Sequence, residues 1–382
     1  MTSPFLSLPR AVASEGVDEG VPAHYGNPVV EQRRLEQGRA IVDLSGRGIL
    51  TVTGPDRLTW LHSMASQSLD RLPAGGSAEA LFLDASGRIE HVAHVLDDGE
   101  TTWLVVEASE AEPLRAYLDR MRFMLRVEVE DVTGEYAVVG AMSTDALDAA
   151  VPAAAPNGVG LDWVDPWREA SGYQYSHETD HPAALWRFIE RVVPRDALAD
   201  AAAAVEAGRV EAAGALAAEA LRIAAWRPRF ATEVDEKAIP HEFDWLRSAV
   251  DLGKGCYKGQ ETVAKVLNLG RPPRRLVLLH LDGSDTVLPA PGEEVVGEKA
   301  RPEPAPGEAP ERKVVGQITS SAMHYEMGPI ALAVVKRAVP GDLPLIVESH
   351  GIDVAAAQVE IVPADAAAAI EVPRLPRLGV RH

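Results

Sequence analysis

The chain has 382 residues, 46% hydrophobic and 25% charged, which is the composition of an ordinary globular protein with room for two or three domains. It carries 37 Lys and Arg against 57 Asp and Glu, and the resulting formal net charge of −20 argues against broad binding to DNA or RNA. Its single cysteine excludes an internal disulfide framework, and cannot by itself supply an iron–sulfur or structural zinc site, which needs roughly four ligands.

No apolar stretch approaches the ~20 residues of a membrane span. The first 20 residues are interrupted by prolines and an arginine, so they lack the apolar core of a signal peptide. We therefore expect a soluble, cytoplasmic protein without a membrane partner.

The predicted elements begin with an N-terminal arm, residues 1–28, which is rich in Pro, Gly and acidic residues and is expected to be loosely docked. The pattern predicts a helix over 29–39, two short strands within 40–53 that a Gly-x-Gly turn separates, and a helix over 57–66. A strand, a Ser-Gly turn and a second strand predict a hairpin over 80–96.

Strands and helices alternate in the next part of the chain, which indicates α+β architecture. The alanine-rich stretch 197–218 has helical spacing and predicts a helix. The strands are predicted at 101–106, 127–132 and 136–141, and the helices at 112–124 and 144–150.

After Pro272-Pro273 the pattern changes to short strands between Gly and Pro turns, which predicts a compact all-β unit over 271–365. Within it, the charged, Pro-rich segment 297–312 predicts a mobile loop between two strands. Residues 366–382 are expected to form a tail. The all-β strands are predicted at 275–281, 314–320, 330–335 and 345–347.

The most informative segment is 254–262, which holds the only cysteine, Cys256. Neighbouring glycines, among them Gly253, would allow positive φ and close approach of a ligand to the backbone. Two lysines within two residues of the sulfur, and the N-terminus of a helix predicted over 260–267, favour the thiolate. We interpret the segment as a site rather than as packing.

Residues 254–261 match the signature Lys-Gly-Cys-Tyr-x-Gly-Gln-Glu at every defined position. The chain thereby resembles the YgfZ branch of the folate-binding YgfZ/GcvT family, with weaker supporting matches over roughly 35–365. The resemblance implies a three-lobed ring around a central folate channel. Two interleaved, mixed α/β lobes would occupy 29–270, and the third lobe would be a C-terminal Greek-key β-barrel.

The resemblance also implies tetrahydrofolate, or another reduced folate, as the cofactor in the channel. Cys256 would be the reactive group at the channel mouth and Lys254 would hold it as the thiolate. A pterin edge suits carboxylate and guanidinium partners, so Glu219 and Arg222, one helical turn apart, either contact it or form a surface ion pair. The other predicted folate-binding residues are Gly255, Tyr257, Gly259, Gln260 and Glu261.

The early hairpin departs from the family pattern. Aminomethyltransferases of the family carry an Asp-Asp pair where this chain has Glu90-His91, and the longer glutamate shifts the carboxylate by ~1.5 Å, which argues against aminomethyltransferase activity. His91 and His94 lie three apart on a strand and so face opposite sides, where they cannot share a metal. We interpret both histidines as structural.

Three functions remain open. The leading hypothesis is a folate-binding accessory protein in iron–sulfur cluster assembly or repair, with client or assembly proteins as partners. The second is a folate-dependent one-carbon transferase or demethylase. The third is a non-catalytic folate-binding scaffold in which Cys256 has no chemical role.

Overall fold

The computed structural model describes residues 2–176, 180–268, 271–284, 287–299, 311–364 and 366. The helices of this part are α1 (Pro28–Glu36), α2 (Arg57–Met64), α3 (Ala111–Met121), α4 (Thr144–Ala150), α5 (Leu198–Glu206), α6 (Ala215–Ala224), α7 (Phe230–Glu233), α8 (Leu246–Ala249) and α9 (Gln260–Asn268). Within these ranges, none of the helices is long and apolar enough to cross a bilayer.

The strands follow the chain from the N-terminal segment to the C-terminal barrel. They are β1 (Val12–Ala13), β2 (Pro22–His24), β3 (Ala40–Asp43), β4 (Gly48–Thr53), β5 (Ser77–Leu83), β6 (Ile89–Asp97), β7 (Thr101–Val106), β8 (Glu128–Asp131), β9 (Tyr136–Ala141), β10 (Asp162–Val164), β11 (Ile189–Pro194), β12 (Glu211–Ala213), β13 (Arg274–Leu281), β14 (Glu294–Lys299), β15 (Glu311–His324), β16 (Gly328–Lys336), β17 (Leu345–Ser349) and β18 (Ile352–Glu360).

Two five-stranded sheets interleave along the chain. One has the order β10-β11-β9-β3-β12 and the other the order β5-β6-β7-β4-β8, so the consecutive strands β3 and β4 enter different sheets. All neighbours are antiparallel except β12 and β3, which run parallel. The predicted α+β class with two mixed α/β lobes is therefore confirmed.

The C-terminal strands close into a barrel of order β13-β16-β15-β14-β17-β18, with β18 paired to β13. The strands β14, β15 and β16 form a meander, and β13 lies beside the last of them, which is the Greek-key arrangement. The all-β unit predicted from the short, turn-bounded strands is therefore confirmed, as is the Greek-key barrel that the family resemblance implies.

Helix α6 lies at the centre of the molecule. It contacts α1, β2 and β3 on one side and β15 and β16 of the barrel on the other. Its apolar face joins a core in which Trp163, Trp167, Trp186, Trp226 and Trp245 are all buried. This position brings the polar side chains of α6 to the boundary between the two sheets.

The expectation of a loosely docked arm is wrong. Phe5 is fully buried in the core beside α4 and α5, and the Ser3 hydroxyl donates a hydrogen bond to the carboxylate of Asp43. The segment also forms the small sheet β1-β2. Proline and glycine here shape a packed segment, because Phe5, Leu8 and Val21 are directed inward.

Two further predictions need correction. The stretch 197–218 is two helices separated by β12, because α5 ends before Gly208, whose φ of +68° is left-handed. Both ends of the predicted loop 297–312 belong to strands instead, since residues 297–299 are part of β14 and residues 311–312 are part of β15. Residues 300–310, and 367–382 of the predicted tail, lie outside the described residues.

Candidate functional site

A polar cavity lies between the two sheets and the N-terminal half of α6. The space open to the centres of water-sized molecules is about 80 Å³, and the total space between the walls, with the open mouth included, is about 770 Å³. Val92 and Val105 line one side, and on the other the rings of Trp186 and Phe188 stack with their centroids 4.9 Å apart. Carboxylates and arginines make up most of the remaining lining, so the cavity combines flat apolar walls with many charged groups.

Glu219 and Arg222, which the sequence singles out, both line this cavity. Arg222 Nε donates to Glu219 Oε2 over 2.8 Å, Nη1 to Glu233 Oε2 over 2.9 Å, and Nη2 to the hydroxyl of Ser320 in the barrel over 2.7 Å. Burial alone would raise the pKa of Glu219, but the adjacent Arg222 guanidinium holds it below its ordinary value. The pair is thus a buried ionic network at a cavity and not a surface ion pair.

The N-terminal segment supplies a second part of the network. Arg229 donates to both oxygens of Asp18, over 2.9 and 2.8 Å, and its Nε donates to Glu107 Oε1 over 2.8 Å. Although burial opposes ionisation of Glu107, Arg47 and Arg229 hold its pKa well below the ordinary value. Sequence reasoning missed these residues because no local motif joins positions so far apart in the chain.

Arg227 contributes a buried donor without a partner. Its Nε donates to Asp165 Oδ2 over 3.0 Å and its Nη2 to Glu79 Oε1 over 2.7 Å, while the guanidinium lies 5.3 Å from the ring centroid of Trp167. Among the described residues, Nη1 of this 3% exposed side chain finds no acceptor. An unsatisfied buried donor in a cavity wall favours a ligand that accepts a hydrogen bond.

His94 also lines the cavity, although the sequence analysis interprets it as structural. Its Nδ1 lies 2.7 Å from Glu190 Oε2, and its ring stacks on Trp163 with centroids 3.7 Å apart and planes 3° from parallel. His91 instead lies beside Tyr117, with Nδ1 2.6 Å from Glu110. The prediction that His91 and His94 face opposite sides of the strand is confirmed. Alternation along β6 places His94 on the same face as Val92, and this pattern could have predicted that His94 lines the cavity.

The signature loop docks on the turn between β5 and β6. Gly259 has a φ of +85°, and a Cβ there would lie 2.6 Å from the carbonyl oxygen of Asp84. The prediction of positive φ is confirmed at Gly259 but wrong at Gly253 and Gly255, which lie outside the left-handed region. Gly259 is therefore required by the close approach of two backbones. Cys256, on the same loop, is exposed.

The ammonium group of Lys254 binds the end of α2. It donates to the carbonyl oxygens of His62, of Ala65 over 2.5 Å and of Gln67 over 3.0 Å, and it lies 5.1 Å from the ring centroid of Tyr257. Burial lowers the pKa of Lys254 to about 8. These contacts do not include the sulfur of Cys256, so the pairing of this ammonium with a thiolate stays a prediction.

The other signature residues hold the loop or face outward. Gln260 Nε2 makes a long contact of 3.4 Å to the carbonyl oxygen of Lys254, and Lys258 Nζ donates to Glu90 Oε2 over 2.9 Å. Tyr257 is buried in the core, whereas Glu261 is exposed. No residue of the signature is among those that line the polar cavity. Two candidate regions are therefore present, the cavity and the signature loop.

The described ranges contain no group of three or more His, Cys, Asp or Glu side chains placed to hold a metal ion. The carboxylates of the cavity are paired with arginines or with His94 instead, as in the pair Arg227 and Glu79. The arrangement suits recognition of a polar, planar organic molecule.

Comparison with known proteins identifies relatives in three groups. No family model matches the chain. The chain is 24% identical over 294 residues to a putative chloroplastic transferase of Arabidopsis thaliana. It is 23% identical over 255 residues to a mitochondrial iron–sulfur cluster assembly factor IBA57 homologue of Cryptococcus neoformans. It is also 25% identical over 345 residues to an aminomethyltransferase of Moorella thermoacetica.

The extent of these matches differs. They cover 72%, 63% and 82% of this chain, and 64%, 66% and 83% of the respective relatives, so the chain spans just under two thirds of the plant and fungal proteins. In structure, the chain matches the glycine cleavage system aminomethyltransferase T from Bartonella henselae with a TM-score of 0.69 and 19% identity, covering 94% of this chain and 96% of the other. The chain is therefore aminomethyltransferase-like in fold.

Proposed function

We propose that this aminomethyltransferase-like protein binds a reduced folate in its polar cavity and acts as an accessory protein in iron–sulfur cluster assembly or repair. The match to the Cys256 signature supports the folate and the YgfZ branch. The similarity to a fungal iron–sulfur cluster assembly factor supports the cluster role. The predicted compartment is the cytoplasm, and the predicted partners are cluster-containing client or assembly proteins.

The residues of the cavity fit a folate. A pterin ring is flat, which matches the aromatic walls of the cavity. Its edge carries amine, amide and carbonyl groups, which match the carboxylate of Glu219 and the partnerless Nη1 of Arg227. Arg227 would donate to a ring carbonyl, and Glu219, already ionised beside Arg222, would accept from an amine. The bound folate would supply a carrier for a one-carbon group.

The observation that carries the proposal is the exposed cysteine on an anchored loop. Gly259 and Lys254 fix the loop to the β5–β6 turn and to α2, while Cys256 between them faces solvent. A thiol held in this way is available to another protein rather than to the interior of its own fold. Cys256 would therefore act on a client or assembly partner, and the folate would be held separately.

Complementation of a deletion strain tests this role. Cys256→Ala should fail to restore the activity of cluster-dependent enzymes, although the purified variant should fold and bind tetrahydrofolate as the wild type does. Leu252→Ala, which changes an exposed side chain of the same loop, is the matched control and should restore activity. Full rescue by Cys256→Ala would contradict a role for the thiol and favour the scaffold hypothesis.

The fold similarity to an aminomethyltransferase favours a second candidate, a folate-dependent one-carbon transferase. It predicts that the purified protein transfers a methylene group between an amine donor and tetrahydrofolate. Glu90, the carboxylate that replaces the family's Asp pair, is bound by Lys258, which argues against this candidate. Formation of 5,10-methylenetetrahydrofolate from a panel of aminomethyl donors, whose carbon is already at the oxidation level of formaldehyde, with release of the amine, would support it. The absence of turnover would count against it.

A further inference from the structure

Three side chains of the cavity form a connected group on one wall. Glu79 and His94 are direct cross-strand neighbours on β5 and β6, so their side chains leave the sheet on the same face about 5 Å apart. Glu79 Oε1 accepts the 2.7 Å hydrogen bond from Nη2 of Arg227. Arg227 and His94 are therefore both neighbours of one buried carboxylate.

The ring of His94 has a fixed plane, and the carboxylate of Glu190 beside it selects the tautomer of the neutral ring. Stacking on Trp163 sets the plane. Glu190 is buried, which would raise its pKa, but the hydrogen bond with His94 and the charge of Arg47 lower it below the ordinary value, so it is a carboxylate that accepts from Nδ1–H. In the neutral imidazole, Nε2 is then the acceptor. It is the ring nitrogen left to face a ligand.

The unpartnered Nη1 of Arg227 complements this acceptor. It is an obligate donor, because a guanidinium has no lone pair to offer. One acceptor and one donor, both rigidly supported and both lining the same cavity, match a planar ring edge on which an N–H lies next to a C=O. Such an edge is a cyclic amide, or lactam. When an amine replaces the carbonyl, a donor takes the place of the acceptor, and the neighbouring ring nitrogen loses its hydrogen and becomes an acceptor.

We propose that His94 and Arg227 are the specificity-determining residues of the cavity and that they read the lactam edge of the ligand. Nε2 of His94 accepts from the ring N–H, and Nη1 of Arg227 donates to the neighbouring carbonyl. The inference rests on the proposed function in taking the ligand to be a reduced folate, whose pterin ring carries such an edge. Glu190 and Trp163 act as positioning residues for His94.

A matched pair of ligands tests the proposal. Tetrahydrofolate and its 4-amino analogue, tetrahydroaminopterin, differ only in the group that replaces the lactam carbonyl. The wild-type protein should bind tetrahydrofolate about 100-fold more tightly, because the analogue leaves two buried polar groups mispaired. Isothermal titration calorimetry with each ligand measures the ratio directly and needs no catalytic activity.

Variants then assign the preference to His94. His94→Phe keeps the ring on Trp163 but removes Nε2, and should reduce the preference to about threefold. Because this change leaves Glu190 without its partner, the double variant with Glu190→Gln serves if the single variant does not fold. His91→Phe, on the opposite face of the same strand and paired in the same way with Glu110, is the control and should keep the full preference.

Each outcome decides between the two proposals. Equal binding of both ligands by the wild type, or a full preference retained by the His94 variant, would overturn the lactam inference and leave folate binding intact. Binding of neither ligand by the wild type would overturn the proposed function and the inference with it.

Discussion

The cavity and the signature loop contain the same kinds of charged residues but use them differently. In the cavity, arginines and carboxylates neutralise one another, as Arg222 does with Glu219 and Glu233, and little of either partner is exposed. In the loop, Lys258 and Glu90 form an ion pair with both side chains 38% exposed, and Cys256 faces solvent. The cavity keeps its charged groups paired and buried, and the loop leaves its ion pair and its thiol exposed to solvent.

This difference separates two tasks that the Cys256 signature alone would place together. The predicted folate residues divide accordingly, since Glu219 and Arg222 line the cavity and the signature residues do not. Substitutions in the cavity should therefore affect stability and ligand binding together. Substitutions in the loop should affect activity with a partner. Only those at the residues that anchor the loop should also affect stability.

The largest effect is expected from Arg222→Met. It leaves the fully buried carboxylate of Glu233 without its guanidinium partner and removes the link to Ser320, so the free energy of unfolding should fall by about 3–5 kcal/mol. Urea denaturation measures this loss. Arg312→Met is the control, because Arg312 also contacts several carboxylates but lies on the exposed barrel surface, and its loss should be much smaller. Equal losses of unfolding free energy in the two variants would contradict the distinction between the buried ion pairs of the cavity and exposed ion pairs.

In the loop, Gly259→Ala should have the next largest effect. The added Cβ meets the carbonyl oxygen of Asp84 at 2.6 Å, and φ of +85° is unfavourable for alanine, so we expect a loss of about 2 kcal/mol and faster alkylation of Cys256. At Gly255 a Cβ meets no atom within 4 Å, and Gly255→Ala should change neither quantity. Similar behaviour of the two variants would show that the loop is not anchored at Gly259.

Lys254 should give the loop a distinctive pH dependence. Burial lowers its pKa from 10.5 to about 8, so between these pH values the unfolded chain binds more protons than the folded protein. The contribution of Lys254 to stability therefore rises with pH from 8 to 10.5, on the order of 1 kcal/mol. The difference in unfolding free energy between wild type and Lys254→Met should show this rise. The exposed Lys258 provides the control variant Lys258→Met, and a flat difference for Lys254 would contradict its burial.

Cys256→Ser should have the smallest effect on the protein itself. Because the side chain is exposed, the free energy of unfolding should change by less than about 0.5 kcal/mol. Differential scanning calorimetry of the two proteins measures the change. A loss of several degrees in the midpoint would indicate that the thiol packs against the fold.

The fold was predictable where local patterns decide it. The hairpin β5–β6, helix α4 and the all-β character of the C-terminal unit follow from alternation, helical spacing and turn residues, whereas its Greek-key barrel came from the family resemblance. Strand β12 was missed because alanine-rich residues there resemble the flanking helices. The burial of Phe5 depends on tertiary contacts with α4 and α5 that no local pattern records.

The candidate site was predictable only in part. Glu219 and Arg222 are one helical turn apart, so sequence spacing could bring them together. The partners of Arg227 are Glu79 and Asp165, 148 and 62 residues away, and their meeting depends on the interleaving of the two sheets. The histidine His94 was set aside because its residue type alone does not distinguish a cavity wall from a packed strand.

Calorimetric titration of tetrahydrofolate tests the central claim most directly, with the wild type, Ala218→Phe and Cys256→Ala. Ala218 lines the cavity, and the larger side chain would fill it, whereas Leu216→Phe on the exposed side of the same helix is the control. The account predicts micromolar binding by the wild type, Cys256→Ala and Leu216→Phe, and its loss in Ala218→Phe. Binding unaffected by Ala218→Phe, or abolished by Cys256→Ala, would contradict the separation of a folate cavity from an outward-facing thiol.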